Sequence, residues 1–104
     1  MPNNWNIPEW LENEVRERDK VCVYCGGEFT PAKVSKKSVA SWEHIINDSK
    51  IITRENIALC CCGCNSSKGQ KQLSVWLENK YCMEHGISPE SVAPIIKQAI
   101  ENGQ

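Results

Sequence analysis

Residues 42–68 read WEHIINDSKIITRENIALCCCGCNSSK, and this stretch decides the fold. Extended back to Ser38, its first part is SVASWEHII, which alternates apolar and polar residues with the period of a half-buried strand. NDSKIITRE follows as a loop of turn-forming and basic residues, and NIALCC, 56–61, is a second short strand. CNSSKGQKQLSVWLENKYC, 64–82, opens with helix-capping residues. It carries Leu73, Trp76, Leu77 and Tyr81 on one helical face, so a helix is expected there.

Working outward, the cysteines come next. Cys22 and Cys25 flank two residues in VCVYCGG, where Gly26 and Gly27 supply the backbone angles of a knuckle. Cys61 and Cys64 repeat the spacing 39 residues after Cys22. Four thiolates from two such pairs make a closed tetrahedral zinc site. The run CCCGC also offers Cys60 and Cys62. Cys61 is preferred because it reproduces the first knuckle's spacing, and Cys60 would then pack on the opposite strand face as a small hydrophobe. Cys82 and His85 form a C-x-x-H without a second ligand pair, so a partly buried thiol and a surface histidine are expected there.

On either side of this core lie two further helices. Pro8 opens the first, about 8–19, with Glu9 and Glu12 at its positive end and Leu11 and Val15 on its apolar stripe. Residues 1–7 are expected to be a loose arm, and EFTPAKVSKKS, 28–38, a basic loop. The last helix, about 89–102, is expected with Ser88 as cap and Val92, Ile95, Ile96, Ala99 and Ile100 as its stripe; Pro94 interrupts its first turn.

The length of 104 residues suits one domain, 1–104, with a modest core that a structural metal would reinforce. No stretch approaches the apolar length that spans a bilayer and no signal peptide is visible, so no membrane association and a cytoplasmic location are expected. Reduced thiols there favour metal ligation over disulfides. Net charge is -1, which taken alone argues against a polyanion partner. Its distribution argues otherwise: residues 30–71 carry seven basic and three acidic side chains, or +4, between acidic ends of -3 and -2. One basic face on a polyanion fits this pattern.

The chemistry rests on Glu43, His44 and Asn65. Phosphodiester hydrolysis needs a base for water and a cation for phosphate charge. The imidazole of His44 is a suitable base near neutral pH. Glu43 and Asn65 offer hard oxygens for magnesium or manganese, and Asn65 at a helix start would sit near amides that attract phosphate. Neighbours on a flat strand face opposite ways, so Glu43 and His44 share a site only if the backbone bends or the metal lies to one side.

In order, C-x-x-C, a carboxylate–histidine pair, Asn56 in ENIAL and C-x-x-C-N-x-x-K resemble the HNH endonucleases. The resemblance covers about 22–71. It implies an α+β fold: a zinc-stabilised ββα-metal, treble-clef-like core, about 22–81, with flanking N- and C-terminal helices. It implies that His44 is the general base and that Glu43 and Asn65 hold a catalytic Mg2+ or Mn2+ beside structural Zn2+. Asn56 would order the loop that holds His44, and Lys68 would contact phosphate, with Lys71 and Arg54 as further contacts. Double-stranded DNA is the implied substrate. Specificity is expected to be low, or to come from a second copy or a partner protein. The competing reading is a zinc-stabilised nucleic-acid-binding module without catalysis.

Overall fold

Ala40–His44 (β1) and Ile57–Cys61 (β2) pair antiparallel as a two-stranded sheet in a computed structural model that describes residues 5–31, 33–48 and 50–104. Glu43 stands opposite Ala58, and His44 opposite Ile57. Every residue of β2 is buried, because the sheet is covered on both faces. Ile57 and Leu59 pack with Ile7, Leu11 and Val15, while Ala58 and Cys60 join Tyr24, Trp76 and Ile96.

The first face is covered by Glu9–Arg18 (α1), which starts after Pro8 as expected. Its C-terminal end is fastened to β2. The buried Asp19 carboxylate accepts from the Leu59 amide at 3.1 Å, and Arg18 clamps it through two bonds of 2.8 and 2.9 Å. Arg18 also donates to the carbonyls of Arg54 and Ile57, both at 2.7 Å. These bonds give each buried polar group a partner, which a short sheet needs at its edges. The arm expected to be loose departs from that reading. Residues 1–4 lie outside the described residues, but Ile7 is buried beside Leu11.

On the second face the expected helix over 64–82 is three pieces. Cys62–Lys68 (α2) stops at Gly69, whose φ of +52° leaves the helical region. Leu73–Trp76 (α3) is one turn. Asn79 then restarts the chain by capping Lys80–Glu84 (α4), its side chain accepting from the Tyr81 amide at 2.9 Å. The apolar face is nonetheless buried, with Leu73 and Trp76 in the core.

The last helix is Pro94–Glu101 (α5), shorter than 89–102. Ser88 caps a turn instead, exchanging hydrogen bonds of 2.9 and 3.2 Å with Ser91. Pro94 has no N–H and pushes Ala93 into extended geometry, so the helix can only begin there. Val92, Ile96 and Ala99 of the expected stripe are buried. Among the described residues, no helix is long and apolar enough to cross a membrane.

Candidate zinc cluster and active site

The sulfurs of Cys22, Cys25, Cys61 and Cys64 lie within 4.8 Å of one another. A tetrahedron with zinc–sulfur bonds of about 2.3 Å has sulfur–sulfur edges of about 3.8 Å, and Cys25 and Cys61 are 3.8 Å apart. The first pair is shaped by its glycines. Gly26 adopts φ +74° and donates to the Cys22 carbonyl at 3.0 Å, while the Gly27 carbonyl accepts from the Cys22 amide at 2.9 Å. The second pair spans the β2–α2 junction, where the Cys61 sulfur caps α2 by accepting from the Cys64 amide at 3.4 Å. Cys60 points into the core, and Cys62 opens α2 outside the cluster.

The protonation chemistry of these thiols fits a cation. Hydrogen bonding from Cys64 holds Cys22 down to about 5, against burial. Burial pushes Cys25 up to about 11, and the bond to Cys22, with burial, pushes Cys64 up. Such a cluster takes a thiolate readily at Cys22 and suppresses those of Cys25 and Cys64, until a metal supplies the missing charge. The residues present therefore could hold zinc. Among the described residues no second group of three or more ligands is found. Cys82 is buried with its thiol on the Trp76 carbonyl, and His85 is exposed on the Tyr81 carbonyl. A cleft of about 670 Å³ beside the cluster is lined by Lys36, Lys37, Tyr81 and His85, and His44 is not in it.

The sheet places Glu43 and His44 on opposite faces. Glu43 is buried toward α2, where its Oε2 accepts from the Tyr24 hydroxyl at 2.5 Å and meets the Lys68 ammonium at 3.2 Å. Burial pushes the Glu43 carboxyl up, and Lys68 and Tyr24 pull it back. The Tyr24 phenol is pushed up by burial and by Glu43, so it remains a donor. His44 is buried on the α1 side, under the edge of Trp5, with ring centroids 5.0 Å apart. Burial holds its pKa below the usual histidine value; Asp48 opposes that and Lys68 reinforces it. Its Nε2 is buried with no hydrogen-bond partner among the described residues.

Asn65 lies in the fourth position of α2 and not at its start, and the nearby amides are already used. Cys62 donates to the Val39 carbonyl and Cys64 to the Cys61 sulfur. Asn65 itself reaches β1, its Nδ2 donating to Ser41 Oγ at 2.7 Å and to the Trp42 carbonyl at 3.1 Å. A carbonyl can only accept, so these bonds fix the amide orientation and turn Oδ1 away. One helical turn on, Lys68 donates to the Ile45 carbonyl at 3.1 Å. It is 1% exposed. Asn56 clamps the loop after His44: its Oδ1 accepts from the Ile46 amide at 2.6 Å, and its Nδ2 donates to the carbonyls of Ile46 and Ile51.

Of the basic residues expected on nucleic acid, Lys71 is exposed with its ammonium on the Ser67 carbonyl. Arg54 is exposed but engaged, paired with Glu14 at 2.6 Å and stacked over Trp10. Tyr24, Ser41 and Trp5 escaped sequence reasoning. Tyr24 looked like a spacer between two ligands, and Trp5 like part of the arm.

No protein-family model matches the chain, and no solved structure matches it. The chain is similar to the CRISPR-associated endonuclease Cas9 of Corynebacterium diphtheriae, 30% identical over 95 residues. The match covers 88% of this chain and 7% of that protein, so the chain spans a small part of the relative's length.

Proposed function

We propose that the chain is a metal-dependent HNH-type endonuclease, with β1, β2 and α2 as its ββα-metal core inside a single domain. One observation carries this reading: His44 is buried, the backbone that follows it is braced at Ile45 and Ile46, and its Nε2 has no partner among the described residues. A histidine with only a structural role would be expected to satisfy that atom. The similarity to part of a Cas9 endonuclease and the four-cysteine cluster support the same reading.

In this reading the site wraps the end of β1. Neutral His44 accepts a proton from water as the water oxygen bonds to phosphorus and the bridging P–O bond breaks. Glu43 and Asn65 would hold magnesium or manganese, and the ion would supply positive charge to the phosphate. Asn56 holds the loop so that His44 keeps one orientation. Lys71 and Arg54 contact double-stranded DNA, and specificity comes from a second copy or a partner protein.

One observation favours the binding-module reading. The Glu43 carboxylate is already neutralised by Lys68. Supercoiled plasmid incubated with magnesium, manganese or EDTA separates the two. Nicked or linear product with either metal and none with EDTA supports the nuclease; plasmid binding with no cutting in any condition supports the module.

A further inference from the structure

Lys68 is the residue whose place least fits an exposed nucleic-acid contact. It is a lysine in the core, its side chain 1% exposed, with its ammonium between the Glu43 carboxylate at 3.2 Å and the Ile45 carbonyl at 3.1 Å. Those two residues are the chain neighbours of His44. On the far side of Glu43, the buried Tyr24 hydroxyl holds the same carboxylate oxygen. Tyr24 is itself fixed edge-on against Trp76, with centroids 4.8 Å apart.

The next link is made by Asn56. Its carbonyl accepts from the Ile45 amide at 2.9 Å, and its side chain takes both backbone groups of Ile46. The peptide units around His44 are thus held from two directions, by α2 through Lys68 and by the start of β2 through Asn56. Nε2 of the imidazole has no hydrogen-bond partner among the described residues. Its orientation therefore comes from its backbone and from packing. The ammonium on Ile45 is charge-assisted and buried, where such bonds are strongest and most directional.

We propose that Lys68 and Tyr24 are positioning residues for His44, acting through the Ile45 carbonyl and the Glu43 carboxylate, and that Lys68 does not touch DNA. The proposal rests on the nuclease reading, and it replaces the phosphate contact expected of Lys68. A lysine suits this position: one ammonium nitrogen with three rotatable donors meets two acceptors 3.2 and 3.1 Å away, where a guanidinium would present its donors in a fixed planar fork.

The experiment uses the full chain with Lys68→Arg and Tyr24→Phe. It measures kcat and KM on plasmid at saturating metal, and the affinity for a labelled duplex in EDTA across a salt series. It also records the His44 imidazole resonances by NMR. Both variants are expected to shift the His44 resonances and to lower kcat, about tenfold or more for Lys68→Arg, because small misplacements of a reacting group are costly. KM, duplex affinity and salt slope stay at the parental values. A phosphate contact by Lys68 gives the opposite split: Lys68→Arg keeps kcat, because arginine binds phosphate well, and that result overturns the proposal.

Zinc content and cooperative melting report whether Lys68→Arg folds. If it does not, Tyr24→Phe decides alone, since its buried hydroxyl cannot reach DNA, and unchanged kcat and unchanged His44 resonances overturn the proposal. If the parental chain does not cut, the nuclease reading fails. The positioning claim is then decided by the resonances, which shift if Lys68 and Tyr24 hold His44 and stay fixed if they do not.

Discussion

Asn56 and Ile46 meet through two hydrogen bonds: Asn56 Oδ1 lies 2.6 Å from the Ile46 amide nitrogen, and Asn56 Nδ2 lies 3.2 Å from the Ile46 carbonyl oxygen. A side chain here imitates a strand partner for the loop after His44. Asn56→Ala takes the side-chain partner from one backbone donor, Ile46 N–H, and from two acceptors, the carbonyls of Ile46 and Ile51. It should cost about 1–3 kcal/mol, the usual penalty of a buried group left unsatisfied. Urea unfolding should show that loss, and plasmid cleavage should fall further than the stability loss explains, while zinc content stays at the parental level.

Zinc content tests the cysteine assignment. Cys61→Ser is expected to lose stoichiometric zinc and cooperative folding, because Cys61 is both one of the four clustered sulfurs and the cap of α2. Structural zinc contributes on the order of 10–16 kcal/mol of apparent binding energy, comparable to a small domain's whole stability. Cys62→Ser should keep zinc and melting temperature. Cys60→Ala should keep zinc and lose only packing, about 1 kcal/mol. Metal analysis of purified variants distinguishes the three.

The Glu43–Lys68 pair makes a stability prediction of its own. Lys68→Met strands a buried carboxylate and should destabilise by about 3–5 kcal/mol, whereas adding Glu43→Gln should restore most of that. The two sites touch, so their effects are expected not to add. Denaturant unfolding of both single variants and the double variant measures the coupling.

The pH dependence follows from His44. Burial holds its folded pKa below the usual value near 6.5, so the neutral base persists below that pH. The acid limb of the cleavage profile is expected below pH 6.5. The sign for stability follows from proton uptake. Between the folded and unfolded pKa values the unfolded chain binds more protons, so this residue's contribution is constant above about 6.5 and stability falls as pH drops toward the folded value. Histidine NMR titration and urea unfolding over that range check both signs.

Much of this was legible in the sequence because it was written in spacing. Two C-x-x-C pairs found each other, and the alternation in SVASWEHII and NIALCC located both strands within two residues. The Glu43–His44 adjacency predicted opposite faces, because a strand's period is two. Other features were hidden where local signals conflict with tertiary ones. The apolar face of 64–82 is helical in period, yet Gly69 and Asn79 cut it, since a positive φ and a new cap outweigh periodicity. Pro94 competed with Ser88 for the start of α5, and the serine side chains spent their hydrogen bonds on a turn. Nothing local marks Lys68 as buried, because its partners Glu43 and Ile45 arrive from β1 and the residue just after it, 25 and 23 positions earlier.

The account stands on His44 as the group that removes a proton from water. The most direct measurement is single-turnover cleavage of plasmid by His44→Ala at saturating magnesium or manganese, on protein shown to retain zinc, melting temperature and duplex affinity. The account predicts a rate lower by about 10²–10⁴-fold, the range for loss of a general base. Cleavage at the parental rate by that folded, zinc-loaded variant contradicts it.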